Sequence, residues 1–161
     1  MDQAFLEILV ARKRNVAAGI LKIVSGIMAC LFIVMIPFSI ICLVLAAAFA
    51  TLAYYSYLHE WIEYEYSYVC RELTIDKIMA RSKRKKEADY LLEKIEVGAA
   101  QESWHLDACR NRSCEVRDYS SKSGGSTFVF YYEGSVKVIL DKNEELMQAM
   151  HNDAPSKIFL N

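Results

Sequence analysis

The stretch IVSGIMACLFIVMIPFSIICLVLAAAFATLAYYSYL, residues 23–58, runs for 36 positions without an Asp, Glu, Lys or Arg. A single straight helix of that size is about 54 Å long at about 1.5 Å per residue, against a hydrocarbon core of about 30 Å. One span cannot use it all. Extended back to Val16, with the Lys22 ammonium snorkelling to the headgroups, the run reaches 43 residues, enough for two passes of about 20. Pro37 falls near the middle, where it removes a backbone donor and bends the chain at the point a turn is required. The sequence reads as a transmembrane helical hairpin over 16–58, with helices at about 16–36 and 39–58. The competing reading is one long kinked span with an interfacial tail.

Working outward, Arg12, Lys13 and Arg14 abut the first helix and act as orientation determinants, because cytoplasmic flanks are enriched in Lys and Arg. The uncharged turn around Pro37 is too short to hold a domain, so both ends of the hairpin share one side. The expectation is a multi-pass cell-membrane protein with cytoplasmic N- and C-termini. Tyr54, Tyr55, Tyr57 and Trp61 form a membrane-interface belt at that side. Gly19 and Gly26 in the first helix, and Ala46, Ala50 and Ala53 in the second, lie at spacings that permit close helix approach, within the hairpin or in a homo-oligomer. Phe5, Leu6, Ile8, Leu9 and Val10 predict a short interfacial amphipathic helix within residues 1–15. The apolar run is too long for a signal peptide.

The whole chain of 161 residues is 54% hydrophobic and 24% charged with a net charge of −1, which excludes a disordered chain, a disulfide-stapled secreted mini-protein and a freely soluble enzyme. From Glu60 to Asn161 the text changes to short β-like runs separated by turn signals, 102 residues that suffice for one core. Glu63-Tyr64-Glu65-Tyr66-Ser67-Tyr68 alternates strictly, and the run Leu73 to Met79 follows after a tight turn at Cys70-Arg71-Glu72. Further strands are expected at 83–90, 94–97, 114–119, 127–132 and 136–140, which makes seven. Asn143 is an N-cap for a terminal helix over about 143–151, with Glu144 and Glu145 in its first turn and Leu146, Met147 and Met150 on its apolar face. Seven antiparallel strands followed by one amphipathic helix is the order of a pleckstrin-homology-like barrel, so the soluble part is an α+β domain of that type over 60–161. Residues 98–112 read as a helical turn or an irregular insertion.

Tyr64-Glu65-Tyr66, the run Glu72 to Met79, Ser82 to Lys86, Ser103 to Leu106, Val116 to Ser120 and Asn143-Glu144-Glu145 resemble a family of small two-span membrane proteins from Gram-positive, clostridia-type bacteria, built on a domain of unknown function. The resemblance spans nearly the whole chain. It implies a bacterial origin and a two-span anchor with a cytosolic domain, and it carries no catalytic residues. The chain departs from the pattern at Cys70-Arg71, where a Gly or Asn-Gly turn is expected.

No feature predicts a metal or a cofactor: Cys109 and Cys114 lack a second ligand pair, and His59, His105 and His151 are scattered. The peptide Ser121 to Thr127 lacks phosphate-loop spacing and precedes a strand rather than a helix. The sharpest feature is the basic run Arg81, Lys83, Arg84, Lys85 and Lys86, set in a segment where 15 cations face 18 acids. It reads equally as a contact for anionic membrane lipids or as a charged edge strand that blocks aggregation. The acidic balance, with no aromatics interleaved in the cluster, argues against nucleic acid as a partner, and none is expected. The sequence therefore predicts a non-enzymatic protein- or lipid-binding scaffold at the inner membrane. The alternative is an accessory subunit of a membrane enzyme or transporter.

Overall fold

The computed structural model describes residues 6–160. Two compact units emerge: a helical one over residues 13–62 with 79–83, and a β unit formed by the rest.

In the helical unit, α1 (Val16–Met35) and α2 (Ile41–Glu60) are joined by a 3-10 turn at Ile36–Phe38 that carries Pro37 in its first positions. Asn15 caps α1 by accepting from the Ala18 N–H at 3.2 Å. The helices pack through small residues, with Ala18, Gly19, Ser25 and Ala29 buried on α1 and Ala46 and Ser56 on α2. Phe32 stacks on Phe49 at 5.5 Å toward the turn. Ser25 and Ser56 satisfy their hydroxyls on the carbonyls of Leu21 and Leu52, so they cost little where no water reaches. The outward residues are apolar and exposed, among them Ile20, Ile23, Ile27, Leu31, Val34, Leu43 and Val44. Both helices are long and apolar enough to cross a membrane.

Among the described residues the β unit holds eight strands: β1 (Leu6–Ala11), β2 (Ile62–Val69), β3 (Glu72–Met79), β4 (Lys83–Leu91), β5 (Ile95–Ala100), β6 (Glu115–Asp118), β7 (Thr127–Tyr132) and β8 (Val136–Asp141). They form two four-stranded sheets, ordered β1-β2-β3-β4 and β5-β7-β8-β6. The expected interfacial helix within residues 1–15 is corrected: Leu6–Ala11 is a strand, antiparallel to β2 from Leu6↔Tyr68 to Ala11↔Glu63. A helix there leaves the free edge of β2 unpaired, whereas the strand satisfies it. Residues 1–5 lie outside the described residues. The β domain therefore does not start at residue 60; its first strand precedes the two apolar helices, and Glu60 ends α2. The expected all-antiparallel set is also corrected, since β6 runs parallel to β8 from Glu115↔Val136 to Asp118↔Ile139.

Alternation on β2 and β3 sends Tyr64, Tyr66, Tyr68, Leu73 and Ile75 inward, and β7 and β8 add Phe128, Phe130, Val138 and Leu140. The sheets face one another through Tyr90, whose ring meets Phe130 edge-on at 5.3 Å, and Tyr66, whose hydroxyl donates to the Tyr119 carbonyl at 2.7 Å. Burial pushes the Tyr66 phenol well above its ordinary range, so it stays a neutral donor. The terminal helix, with Asn143 capping by accepting from Leu146 N–H at 3.0 Å, forms over Glu144–Asp153 and buries Leu146, Met147 and Met150. Tyr68 ties it to the first sheet by donating to Asp153 at 2.6 Å. Within 98–112, residues 98–100 continue β5, and beyond them come a 3-10 turn, Trp104–Leu106, and a short helix, Asp107–Arg110, whose Leu106 and Cys109 cover Val129 and Tyr131 on the other face of β7.

Three hairpins close on paired left-handed residues: Cys70 and Arg71 (φ 51° and 66°), Ala80 and Arg81 (49° and 57°), and Glu133 and Gly134 (49° and 68°). Only the last holds a glycine, so the first two carry side chains where about 1–2 kcal/mol of strain falls on each residue. The double substitution Cys70→Asn with Arg71→Gly is expected to raise stability by about 1 kcal/mol, the loss of strain being partly offset by a freer unfolded chain. A chemical-denaturation midpoint that stays put or falls refutes it.

Candidate membrane-interface site

Within the helical unit, three ionised side chains meet at the open end of the hairpin. Glu60, the last residue of α2, accepts from Arg14 through Nε at 2.9 Å and Nη2 at 2.5 Å, and from Lys22 Nζ at 2.5 Å. Its side chain is 1% exposed, while those of Arg14 and Lys22 are 53% and 34% exposed. A buried carboxylate is tolerable only when paired and hydrogen-bonded, and here two cations leave the group with one net positive charge facing outward. The backbone agrees with the side chains: Asn15 N–H donates to the Glu60 carbonyl at 3.1 Å. Gly19 makes the room, because a Cβ there would sit 3.1 Å from Glu60 Oε1.

Around this latch lie aromatic faces. The Arg14 guanidinium is 5.3 Å from the Trp61 ring centre, that of Arg81 is 5.6 Å from it, and the Lys22 ammonium is 5.8 Å from the Tyr57 ring. Cations over indole and phenol rings at such distances are attracted to the ring face, most strongly where water is excluded. Ala80 N–H donates to the Trp61 carbonyl at 2.9 Å, which holds the strained Ala80-Arg81 turn beside the indole. Tyr57, Trp61, Ala80 and Arg81 line an open cavity of about 290 Å³. This arrangement suits a water–headgroup boundary, where flat amphipathic rings and basic groups gather. Tyr54 and Tyr55 are also exposed on α2, the ring of the latter tilted against His59 with centres 4.1 Å apart.

The five cations read from the sequence either as an anionic-lipid contact or as a charged edge strand have the following surroundings. Arg81 stands over Trp61. Arg84 donates to Asp76 at 2.7 Å and to Glu65, on the outer face of the first sheet, and the hydrogen bond to Asp76 raises its pKa further. Lys86 pairs with Asp89 at 2.8 Å, which raises its pKa as well. Lys83 and Lys85 are exposed on β4, which is an edge strand of its sheet. Exposed pairs of this sort contribute about 0–1 kcal/mol, yet they hold Arg84 and Lys86 against acids of the same domain. The orientation cluster divides likewise. Arg12 belongs to the β unit, donating to the Tyr64 hydroxyl at 2.9 Å, Lys13 is exposed, and Arg14 belongs to the latch.

Sequence reasoning missed Glu60 as a site residue. Its signal was present: it is the first acid after the apolar run, and Lys22 is the lone cation within the first span. Trp104 was also missed as a surface feature; it is 73% exposed and stacks on His105, which stacks on Phe159 at 3.7 Å. Among the described residues no cluster of His, Cys, Asp and Glu has the makings of a metal site. The family model described as "Bacterial PH-like domain (DUF6106)" matches residues 2–160. No curated protein and no solved structure matches the chain.

Proposed function

We propose that this chain, which belongs to the bacterial PH-like domain family DUF6106, is an integral membrane scaffold whose β domain holds a protein partner at the cytoplasmic face of the inner membrane. The observation that carries the reading is the position of the hairpin. The two apolar helices are inserted between β1 and β2, whose residues Ala11 and Glu63 pair directly. Such an insertion fastens the domain at two points of one sheet and keeps it on one side of the bilayer. The cations Arg12, Lys13 and Arg14 beside the first helix support the cytoplasmic side. A protein partner is favoured over headgroups for the β domain because Arg84 and Lys86 are engaged by its own acids, while Trp104 offers an exposed aromatic anchor of the kind that dominates protein interfaces.

The test uses the full chain in its native membrane. The protein is expected to resist alkaline carbonate extraction and, after cross-linking and detergent purification, to bring down one partner in stoichiometric amount. Trp104→Ala should leave the protein folded and reduce partner recovery at least tenfold, the loss of a typical hot-spot aromatic. Substrate turnover by the isolated chain, or unchanged recovery with the variant, overturns the reading. Orientation has its own test. Cys70, exposed in the first hairpin turn, is expected to react with an impermeant maleimide only after permeabilisation; labelling in intact cells places the domain outside.

A further inference from the structure

The outer face of α1 carries a groove that the packing of the hairpin leaves open. Lys22 stands at one end, and Ile23, Gly26, Ile27, Cys30, Leu31 and Val34 line the rest, a shallow, open depression of about 530 Å³ with an almost wholly apolar surface. Gly26 forms its floor: a Cβ there meets nothing within 4 Å, in contrast to Gly19, whose missing side chain is taken up by Glu60. From Lys22 to Val34 the groove runs about 18 Å at about 1.5 Å per residue, close to one leaflet of a hydrocarbon core about 30 Å thick. Its charged end is complementary to an anion, since Arg14 and Lys22 outweigh Glu60 by one charge and both cations keep exposed surface.

We infer that this groove holds one phospholipid with an anionic headgroup: the phosphate against Lys22 and Arg14, one acyl chain laid over Gly26 between Ile23, Ile27 and Leu31. The inference rests on the reading of the helices as membrane spans and assigns the lipid contact to the anchor, not to the basic run of β4. Lys22 has a double duty in this arrangement. It neutralises a buried carboxylate on one side and presents its remaining donors to a phosphate on the other, as an ammonium with three N–H groups allows. The apolar slot below supplies the rest, since a small residue at its floor lets a chain approach the helix backbone closely.

The full-length protein in nanodiscs of phosphatidylcholine with a minor share of phosphatidylglycerol provides the test, read by native mass spectrometry of the lipids that stay bound on release. One phosphatidylglycerol is expected per chain. Gly26→Leu, which fills open space and favours the helix, should abolish its retention with the thermal midpoint unchanged or raised. Lys22→Gln should lower the preference for phosphatidylglycerol over phosphatidylcholine about fivefold. Equal retention of both lipids, or full retention by the Gly26→Leu protein, overturns the inference. So does a dimer that the same leucine breaks, because the groove is then filled by a second copy. Release of the wild-type chain by alkaline carbonate fails the membrane reading itself, whereas a carbonate-resistant chain that retains no lipid fails this inference alone.

Discussion

A β domain cut from the chain at residue 60 is expected to aggregate, while one in which residues 6–11 are joined to residue 63 through a two-residue Asn-Gly turn is expected to be soluble and monomeric. The reason is the pairing of Ala11 with Glu63. With the spans gone those two residues are already apposed, and an Asn-Gly turn is what a hairpin of that register demands. The cut fragment instead bares six paired positions of β2, leaves Tyr64 without Arg12, and turns a central strand into an open edge. Size-exclusion chromatography and near-ultraviolet dichroism of the two proteins decide the matter. Equal monodispersity and equal dichroism overturn the assignment of β1 to the domain.

The second large effect is expected at Gly98. A side chain placed there meets Ile158 Cδ1 and Phe128 Cζ at 2.9 Å and Phe130 Cβ at 3.2 Å. Its backbone also holds the C-terminal segment, donating to Lys157 and accepting from Phe159, both at 2.8 Å. Phe128, Phe130 and Ile158 are fully buried, so none yields without displacing core. Gly98→Ala is expected to cost about 1–3 kcal/mol, and Gly98→Val to prevent the C-terminal segment from docking. The expected signature is a lowered unfolding midpoint together with rapid amide exchange at Phe159. A valine variant with native midpoint and native protection refutes it.

What was legible in the sequence follows from how local each signal is. The hairpin could be read because composition alone decides it: 36 residues without a charge exceed one span, and Pro37 marks the turn. The terminal helix could be read because Asn143, Glu144 and Glu145 state its start within three residues. β1 could not, since Leu6, Ile8, Leu9 and Val10 alternate poorly with a single polar residue, Glu7, and the partner strand lies about sixty residues away. The strands β6 and β8 could be read, but not their parallel pairing, because β7 lies between them in sequence and an alternating pattern carries no information on which strand a neighbour pairs with or in which direction. The cover formed by Leu106 and Cys109 left a trace, because Phe128, Val129, Phe130 and Tyr131 are four apolar residues in a row, the pattern of a strand buried on both faces. At the site, the belt of Tyr57 and Trp61 was visible, whereas the clasp on Glu60 depends on two helices lying side by side.

The insertion of the two apolar helices between β1 and β2 also fixes the order of events during synthesis. The ribosome releases β1 first, and its partner follows about sixty residues later, a delay of about 3–12 s at about 5–20 residues per second. Throughout that interval Leu6, Ile8, Leu9 and Val10 form an unpaired apolar ribbon, a species prone to wrong associations. Packing of α1 against α2 ends the wait, because a closed helical hairpin brings residues 11 and 63 together and removes most of the entropy of closing so long a loop. Closure of the hairpin thus acts as a checkpoint on the β fold: a chain whose two helices fail to pair also fails to complete its first sheet, and the same exposed strand is left open to proteolysis.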